Sequence, residues 1–226
     1  MGFLLASLLW IHSGLIGPTG ITHSQDLPFA KEIAAFKTQD AANPPEKGQV
    51  LFIGSSSFTK WTDVGAYFPK SKILNRAFGG SSLVDVNRFV GDVVFPYDPA
   101  QIVIYCGEND FAGDPTLRPQ LVVGRFETLF KAIRNHQPQV PIVYVSMKPS
   151  PSRWNLRDKF QEANREIQRF LRRQKGTAFV DVWPVMLASN GEPRPDIFLS
   201  DCLHMNATGY HLWQPLLEKA ILPASH

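Results

Sequence analysis

The chain has 226 residues, 44% of them hydrophobic and 19% charged, and a formal net charge of +3. This length suits one domain with a sizeable core, and the composition excludes a disordered chain. The small charge excess indicates no particular partner. The densest basic cluster lies late in a predicted amphipathic helix, where a solvated face that complements the helix dipole explains it better than a nucleic-acid site. That cluster comprises Arg169, Arg172, Arg173 and Lys175.

The two cysteines, Cys106 and Cys202, are too few for a disulfide framework, although one bridge is open to them. Neither has a CxxC partner, so a structural zinc site is not indicated.

An apolar run over residues 3–11 opens the chain and is too short to span a bilayer. A stretch that contains Gly, Pro and Thr follows the run. Together they predict a signal peptide at residues 1–24 and therefore a secreted or periplasmic protein. No basic residue precedes the run and no A-x-A site follows it. The alternative is a docked helix on a cytoplasmic protein. No other stretch is long enough to cross a membrane, so we expect no stable membrane anchor.

An amphipathic helix is predicted over residues 28–39, within an N-terminal segment of residues 25–48. Its apolar side contains Phe29, Ile33 and Phe36. Pro44 and Pro45 end this segment, and the main domain is expected over residues 49–223.

Short apolar runs, each followed by a turn, predict five strands at residues 50–53, 73–75, 102–106, 141–146 and 178–182. Because the runs do not alternate with polar residues, the strands are expected to be buried on both faces, as in a parallel sheet. Helices are predicted at residues 82–90, 121–135, 160–174 and 207–221, the last capped by Asn206. This alternation predicts a doubly wound α/β fold: a three-layer sandwich around a mostly parallel sheet of about five strands.

Small and polar residues gather after three of these strands, where α/β sheets bind ligands. Ser56 follows the first strand at a tight turn, which suits a nucleophile; a polar turn, a helix cap or an anion-binding loop would also explain it. Gly80 follows the second strand and lets a backbone N–H approach a ligand. Asn109 follows the third and could offer an amide donor to an oxyanion. Each of these last two, taken alone, is also explained by a turn.

A histidine near the C-terminus, His204, has a carboxylate three residues before it in Asp201. One tight turn would let Asp201 hold a ring nitrogen of His204 and fix its tautomer, as in a catalytic triad. The alternative is an exposed loop histidine. A metal site is not indicated, because no second ligand has suitable spacing.

The motifs FIGSSS, NRAFGGS, GEND and DCLH, in this order over residues 50–221, resemble those of the SGNH (GDSL-like) hydrolases. The resemblance implies a flavodoxin-like fold and a serine esterase that needs no cofactor or metal. Ser56 would be the nucleophile, His204 its base and Asp201 the group that orients His204. The backbone N–H groups of Ser56 and Gly80 and the side chain of Asn109 would form the oxyanion hole.

One position departs from the family pattern, since Ser55 replaces the aspartate of the GDS motif. Activity should survive, because the aspartate that pairs with the histidine is Asp201. Ser55 is expected to contact substrate, as are Arg153 and Trp154 in the loop after the fourth strand; a buried Trp154 is the alternative.

Two further acidic residues, Asp110 and Asp114, are expected to brace the loop after the third strand. By resemblance, the substrate is expected to be a short-acyl ester, such as an O-acetylated saccharide or a small lipid ester. The alternatives are an acyltransferase or lysophospholipase-type activity on the same triad, or a non-catalytic binding module. The oligomeric state is left open.

Overall fold

The computed structural model describes residues 27–224. The predicted signal peptide, residues 1–24, lies outside the described residues, and secretion therefore stays a prediction. Between residues 27 and 224, every helix is too short or too polar to cross a membrane.

The centre of the fold is a five-stranded parallel sheet in the order β2-β1-β3-β4-β5. The strands are β1 (Val50–Gly54), β2 (Ile73–Asn75), β3 (Gln101–Tyr105), β4 (Ile142–Val145) and β5 (Thr177–Val180). The three central strands are buried along their whole length, while the edge strands β2 and β5 are mostly half-buried. The predicted parallel sheet of about five strands is confirmed, and its central runs lack alternation because both faces are covered.

The described residues contain nine α-helices between and around these strands. They are α1 (Ala30–Ala42), α2 (Ser56–Thr59), α3 (Val64–Tyr67), α4 (Leu83–Arg88), α5 (Val90–Val93), α6 (Glu108–Gly113), α7 (Pro119–His136), α8 (Arg157–Leu171) and α9 (Ala207–Glu218). The helix predicted at residues 82–90 is two short helices, α4 and α5, which meet at Phe89. Asn206 caps α9 as predicted, since its Oδ1 accepts a hydrogen bond of 3.2 Å from the Gly209 N–H.

Two hydrophobic clusters, one on each face of the sheet, make the sandwich three layers thick. The larger cluster joins the sheet to residues of α1, α4, α7 and α8. The second joins it to α2, α3 and α9, with Trp61 stacked on Tyr210 at a centroid distance of 4.6 Å. The predicted α/β/α architecture is therefore confirmed.

Helix α1 lies against the larger cluster and buries Ile33 in it. Phe29 precedes the helix with a positive φ of 67° and packs edge-on against Phe78 at 5.2 Å. At the other end of α1, Asp40 pairs with Arg76, which follows β2. The N-terminal helix is thereby fixed to the domain at both ends.

Candidate active site

The turn after β1 places Ser56 at the carboxyl edge of the sheet. Gly54 has a φ of +126°, and a Cβ there would lie 1.9 Å from the Tyr105 carbonyl oxygen, so only glycine fits. The Ser55 N–H then donates to that same oxygen at 2.9 Å, which brings the ends of β1 and β3 together. Ser56 is the first residue of α2, where helix N–H groups lack intrahelical acceptors.

The loop before α9 brings His204 to Ser56, although 148 residues separate them. The Ser56 hydroxyl lies 3.0 Å from His204 Nε2, and His204 Nδ1 lies 2.6 Å from Asp201 Oδ2. Asp201 Oδ1 also accepts the backbone N–H groups of Leu203 and His204 at 3.0 and 2.9 Å. The intervening Cys202 adopts a left-handed φ of 55°, which closes this turn.

The charge state of Asp201 follows from these contacts. The hydrogen bond from the His204 side chain holds the Asp201 pKa well below its usual range, and the two backbone N–H groups add to this effect. An ionised Asp201 fixes the His204 tautomer with the proton on Nδ1, which leaves Nε2 free to accept the Ser56 proton.

The predicted oxyanion-hole residues follow three adjacent strands, β1, β2 and β3. The Gly79–Gly80 turn lies beside it, since a Cβ at Gly79 would be 3.9 Å from Ser56 Cβ, and Gly80 has a positive φ of 86°. Asn109, in the first turn of α6, donates through Nδ2 to the Ser81 carbonyl oxygen at 2.9 Å. Ser81 in turn donates through Oγ to the Gly54 carbonyl oxygen at 3.0 Å. Hydrogen bonds therefore link all three strand ends.

The three residues predicted to contact substrate occupy different positions around this centre. Ser55 is buried, with 4% of its surface exposed. Arg153 directs its guanidinium to Asn109. Trp154 is half-buried, packs against the larger hydrophobic cluster and stacks on Trp183 at 6.1 Å. Substrate contacts by Ser55, Arg153 and Trp154 stay predictions.

Asp110 ties the loop after β3 to its surroundings. Its carboxylate accepts the Leu83 N–H at 2.8 Å and the Arg125 guanidinium at 2.7 Å, and burial raises its pKa. Asp114 instead accepts the Thr116 N–H and hydroxyl within its own exposed turn.

The thiols of the two cysteines do not pair with each other. Cys106 is buried and Cys202 is exposed, and both are free thiols. The bridge left open by the sequence is therefore not formed.

A buried charge cluster beside Asn109 has no counterpart in the sequence predictions. Glu108 and Lys148 are 3% and 1% exposed, and Lys148 Nζ lies 3.2 Å from Glu108 Oε2. Their one sequence signal is a pair of opposite charges just after the neighbouring strands β3 and β4. Fully buried charges are rare unless paired, and in the sequence both residues resembled ordinary loop charges.

With this geometry established, comparison with known proteins identifies the family. The sequence profile of the GDSL-like Lipase/Acylhydrolase family matches residues 52–212. The chain belongs to this family, which confirms the resemblance drawn from the four motifs. A search of curated proteins finds no match.

Solved structures with the same fold include several bacterial proteins. A Streptococcus pneumonia protein named after platelet activating factor has a TM-score of 0.72 at 19% identity, covering 84% of this chain and 91% of its own. A GDSL-like lipase from Bacteroides thetaiotaomicron gives 0.71 at 20% identity, with coverages of 83% and 96%. A variant of an acetyl-xylooligosaccharide esterase from Geobacillus gives 0.60 at 14% identity, with coverages of 80% and 98%. These likenesses show that the chain shares the fold of these proteins.

Proposed function

We propose that this protein is a serine esterase that cleaves carboxylic esters through an acyl-enzyme. The observation that carries the proposal is the continuous chain of short contacts from Ser56 Oγ through the His204 ring to Asp201, at 3.0 and 2.6 Å. A nucleophile, a base and an orienting carboxylate at these distances are the elements of a catalytic triad.

In the proposed reaction, Ser56 Oγ attacks the ester carbonyl carbon while its proton passes to His204 Nε2. The tetrahedral intermediate then collapses, the C–O bond to the alcohol breaks, and His204 returns the proton to the leaving oxygen. Water attacks the acyl-enzyme with His204 again as base, which releases the acid and restores Ser56.

Negative charge develops on the former carbonyl oxygen during both steps. Two backbone N–H groups, those of Ser56 and Gly80, and the Asn109 amide are the proposed donors. Fixed donors of this kind stabilise the transition state without reorganising during the reaction.

The nucleophile can be tested by labelling with a fluorophosphonate, which phosphonylates an activated serine. We expect the wild type to be labelled and Ser56→Ala to be unlabelled, with hydrolysis of 4-nitrophenyl acetate reduced by about 10³-fold or more. Ser57→Ala is the matched control, because it removes the neighbouring hydroxyl. Absence of labelling in a folded wild type would indicate a binding module and overturn the proposal.

The proposed substrate is a short-acyl ester, for example an O-acetylated saccharide or a small lipid ester. The acetyl-xylooligosaccharide esterase of the same fold supports an acetyl group as the first compound to test. In a series of 4-nitrophenyl esters from acetate to dodecanoate, assayed alongside acetylated xylooligosaccharides, kcat/KM should fall as the acyl chain lengthens. A maximum at the long esters would contradict this choice.

A further inference from the structure

Behind Asn109 lies a cluster of three charged side chains, Glu108, Lys148 and Arg153. Glu108 Oε2 is 3.2 Å from Lys148 Nζ and 3.1 Å from Arg153 Nη1. Tyr105 also donates its hydroxyl to this carboxylate. The side chains of Glu108 and Lys148 are almost inaccessible and that of Arg153 is 17% exposed. Charges are buried in this way only when they are paired and hydrogen-bonded.

The cluster carries a net positive charge, because two cations share one carboxylate. Burial alone would raise the Glu108 pKa, but the Lys148 and Arg153 charges and the Tyr105 hydroxyl lower it below its usual value. Glu108 is therefore ionised, and it anchors Arg153 through one arm of the guanidinium.

The other arm of Arg153 reaches Asn109. Arg153 Nη2 donates to Asn109 Oδ1 at 2.7 Å, while Asn109 Nδ2 donates to the Ser81 carbonyl oxygen at 2.9 Å. Arginine has no acceptor and a carbonyl has no donor, so only one orientation of the amide satisfies both partners. That orientation keeps the amide nitrogen, with its second N–H, on the side of Ser81 and the Gly79–Gly80 turn.

The loop that carries Arg153 is also attached to the triad. The N–H of Ser152 donates to the Cys202 carbonyl oxygen at 3.1 Å, within the turn that connects Asp201 to His204. Arg153 thus joins the Asn109 donor to the loop that holds the base.

We propose that Arg153 is a positioning residue for the proposed ester hydrolysis, acting through Asn109 rather than on the substrate. Its guanidinium fixes the amide orientation and polarises the amide by withdrawing electron density through Oδ1, which strengthens Nδ2–H as a donor. The inference rests on the proposed function. It differs from the expectation from the sequence, in which Arg153 contacts substrate.

Kinetics of 4-nitrophenyl acetate hydrolysis test the inference in four proteins: wild type, Arg153→Met, Asn109→Ala and the double variant. Losing a hydrogen bond to a charged group predicts a fall in kcat of about 10- to 100-fold for Arg153→Met, with KM within about twofold. Asn109→Ala should lose about 10²- to 10³-fold. The double variant should be no slower than Asn109→Ala, because Arg153 acts through the amide.

Control variants distinguish a positioning role of Arg153 from a general loss of structure. Arg169→Met removes an exposed arginine that pairs with Glu166 on α8, away from the site, and its kcat should match the wild type. Arg153→Lys, which keeps the charge, should recover part of the lost kcat and serves if Arg153→Met fails to fold. The side-chain NH2 signals of Asn109 in ¹H–¹⁵N spectra should move in Arg153→Met and stay in place in Arg169→Met.

Two results would overturn the inference about Arg153 without contradicting the proposed esterase activity. One is a double variant whose kcat falls by the product of the losses in the two single variants. The other is a raised KM with unchanged kcat in Arg153→Met, which would indicate direct substrate contact. A folded wild type that hydrolyses no ester and takes no fluorophosphonate would instead overturn the proposed function itself.

Discussion

The response of the Asp201 carboxylate to pH follows from its contacts. Asp201 accepts three hydrogen bonds, from the His204 ring and from two backbone N–H groups. These contacts depress its pKa, so the carboxylate stays charged throughout the neutral and mildly acidic range. Any loss of activity above about pH 4, near the ordinary aspartate pKa, must therefore come from another group.

The neutral His204 ring is the form that the proposed reaction requires, because a protonated Nε2 cannot accept the Ser56 proton. Since Asp201 stays ionised, we expect kcat/KM for 4-nitrophenyl acetate to fall towards acid pH through protonation of this ring. The measurement is a pH–rate profile from pH 4.5 to 9, with near-ultraviolet circular dichroism to verify folding. A profile flat across that range would exclude His204 as the base.

At the scale of single elements, the close approach of β1 and β3 depends on one residue without a side chain. A Cβ on Gly54 would lie 1.9 Å from the Tyr105 carbonyl oxygen, and this contact is with backbone that cannot rotate away. We expect Gly54→Ala to lower the free energy of unfolding by more than about 4 kcal/mol. Urea unfolding followed by circular dichroism measures this.

Gly124 provides the matched control for that substitution. It lies within α7, and a Cβ there would meet nothing within 4 Å. Gly124→Ala should therefore raise the free energy of unfolding by about 0.5–1 kcal/mol through helix propensity alone. Equal stabilities of the two variants would refute the close approach of β1 and β3.

The elements differ in how far the sequence could predict them. The strands were predictable because continuous apolar runs indicate burial on both faces. Ser56 and His204 could be chosen as candidate site residues because each lies in a local motif at the boundary of a strand or helix. Helix α6 was not predicted, because it begins within the GEND motif, whose residues favour turns when their partners are unknown. The pairing of Glu108 with Arg153 was not predictable, since 45 residues separate them and no local pattern records such a contact.

Across the whole molecule, helix α1 is attached by a charge pair that continues its predicted apolar side, because the Arg76 guanidinium also lies 5.2 Å from the centroid of the Phe36 ring. Asp40 pairs with the Arg76 guanidinium and accepts the Tyr97 hydroxyl at 2.5 Å. Arg76 Nε donates to the same hydroxyl at 2.8 Å, and the Arg76 side chain is only 9% exposed. This contact joins α1 to the end of β2 and to the segment before β3.

Removing Asp40 should therefore destabilise the molecule well beyond the usual effect of a surface substitution. Asp40→Ala leaves the Arg76 charge buried without its carboxylate, which costs about 3–5 kcal/mol for a fully buried pair. Because Asp40 is 21% exposed, we expect the lower end, about 3 kcal/mol, or a fall in Tm of about 6–12 °C for a chain of this size.

Lys37→Ala is the control on the same helix, because Lys37 pairs with Asp92 at 2.6 Å but is 64% exposed. An exposed pair contributes less than about 1 kcal/mol, so its Tm should change by no more than about 4 °C. Thermal unfolding of both variants at constant pH measures the two changes in Tm. If Asp40→Ala melts no lower than Lys37→Ala, α1 is held by its apolar contacts, such as that of Ile33 with the core, and the charge pair contributes little.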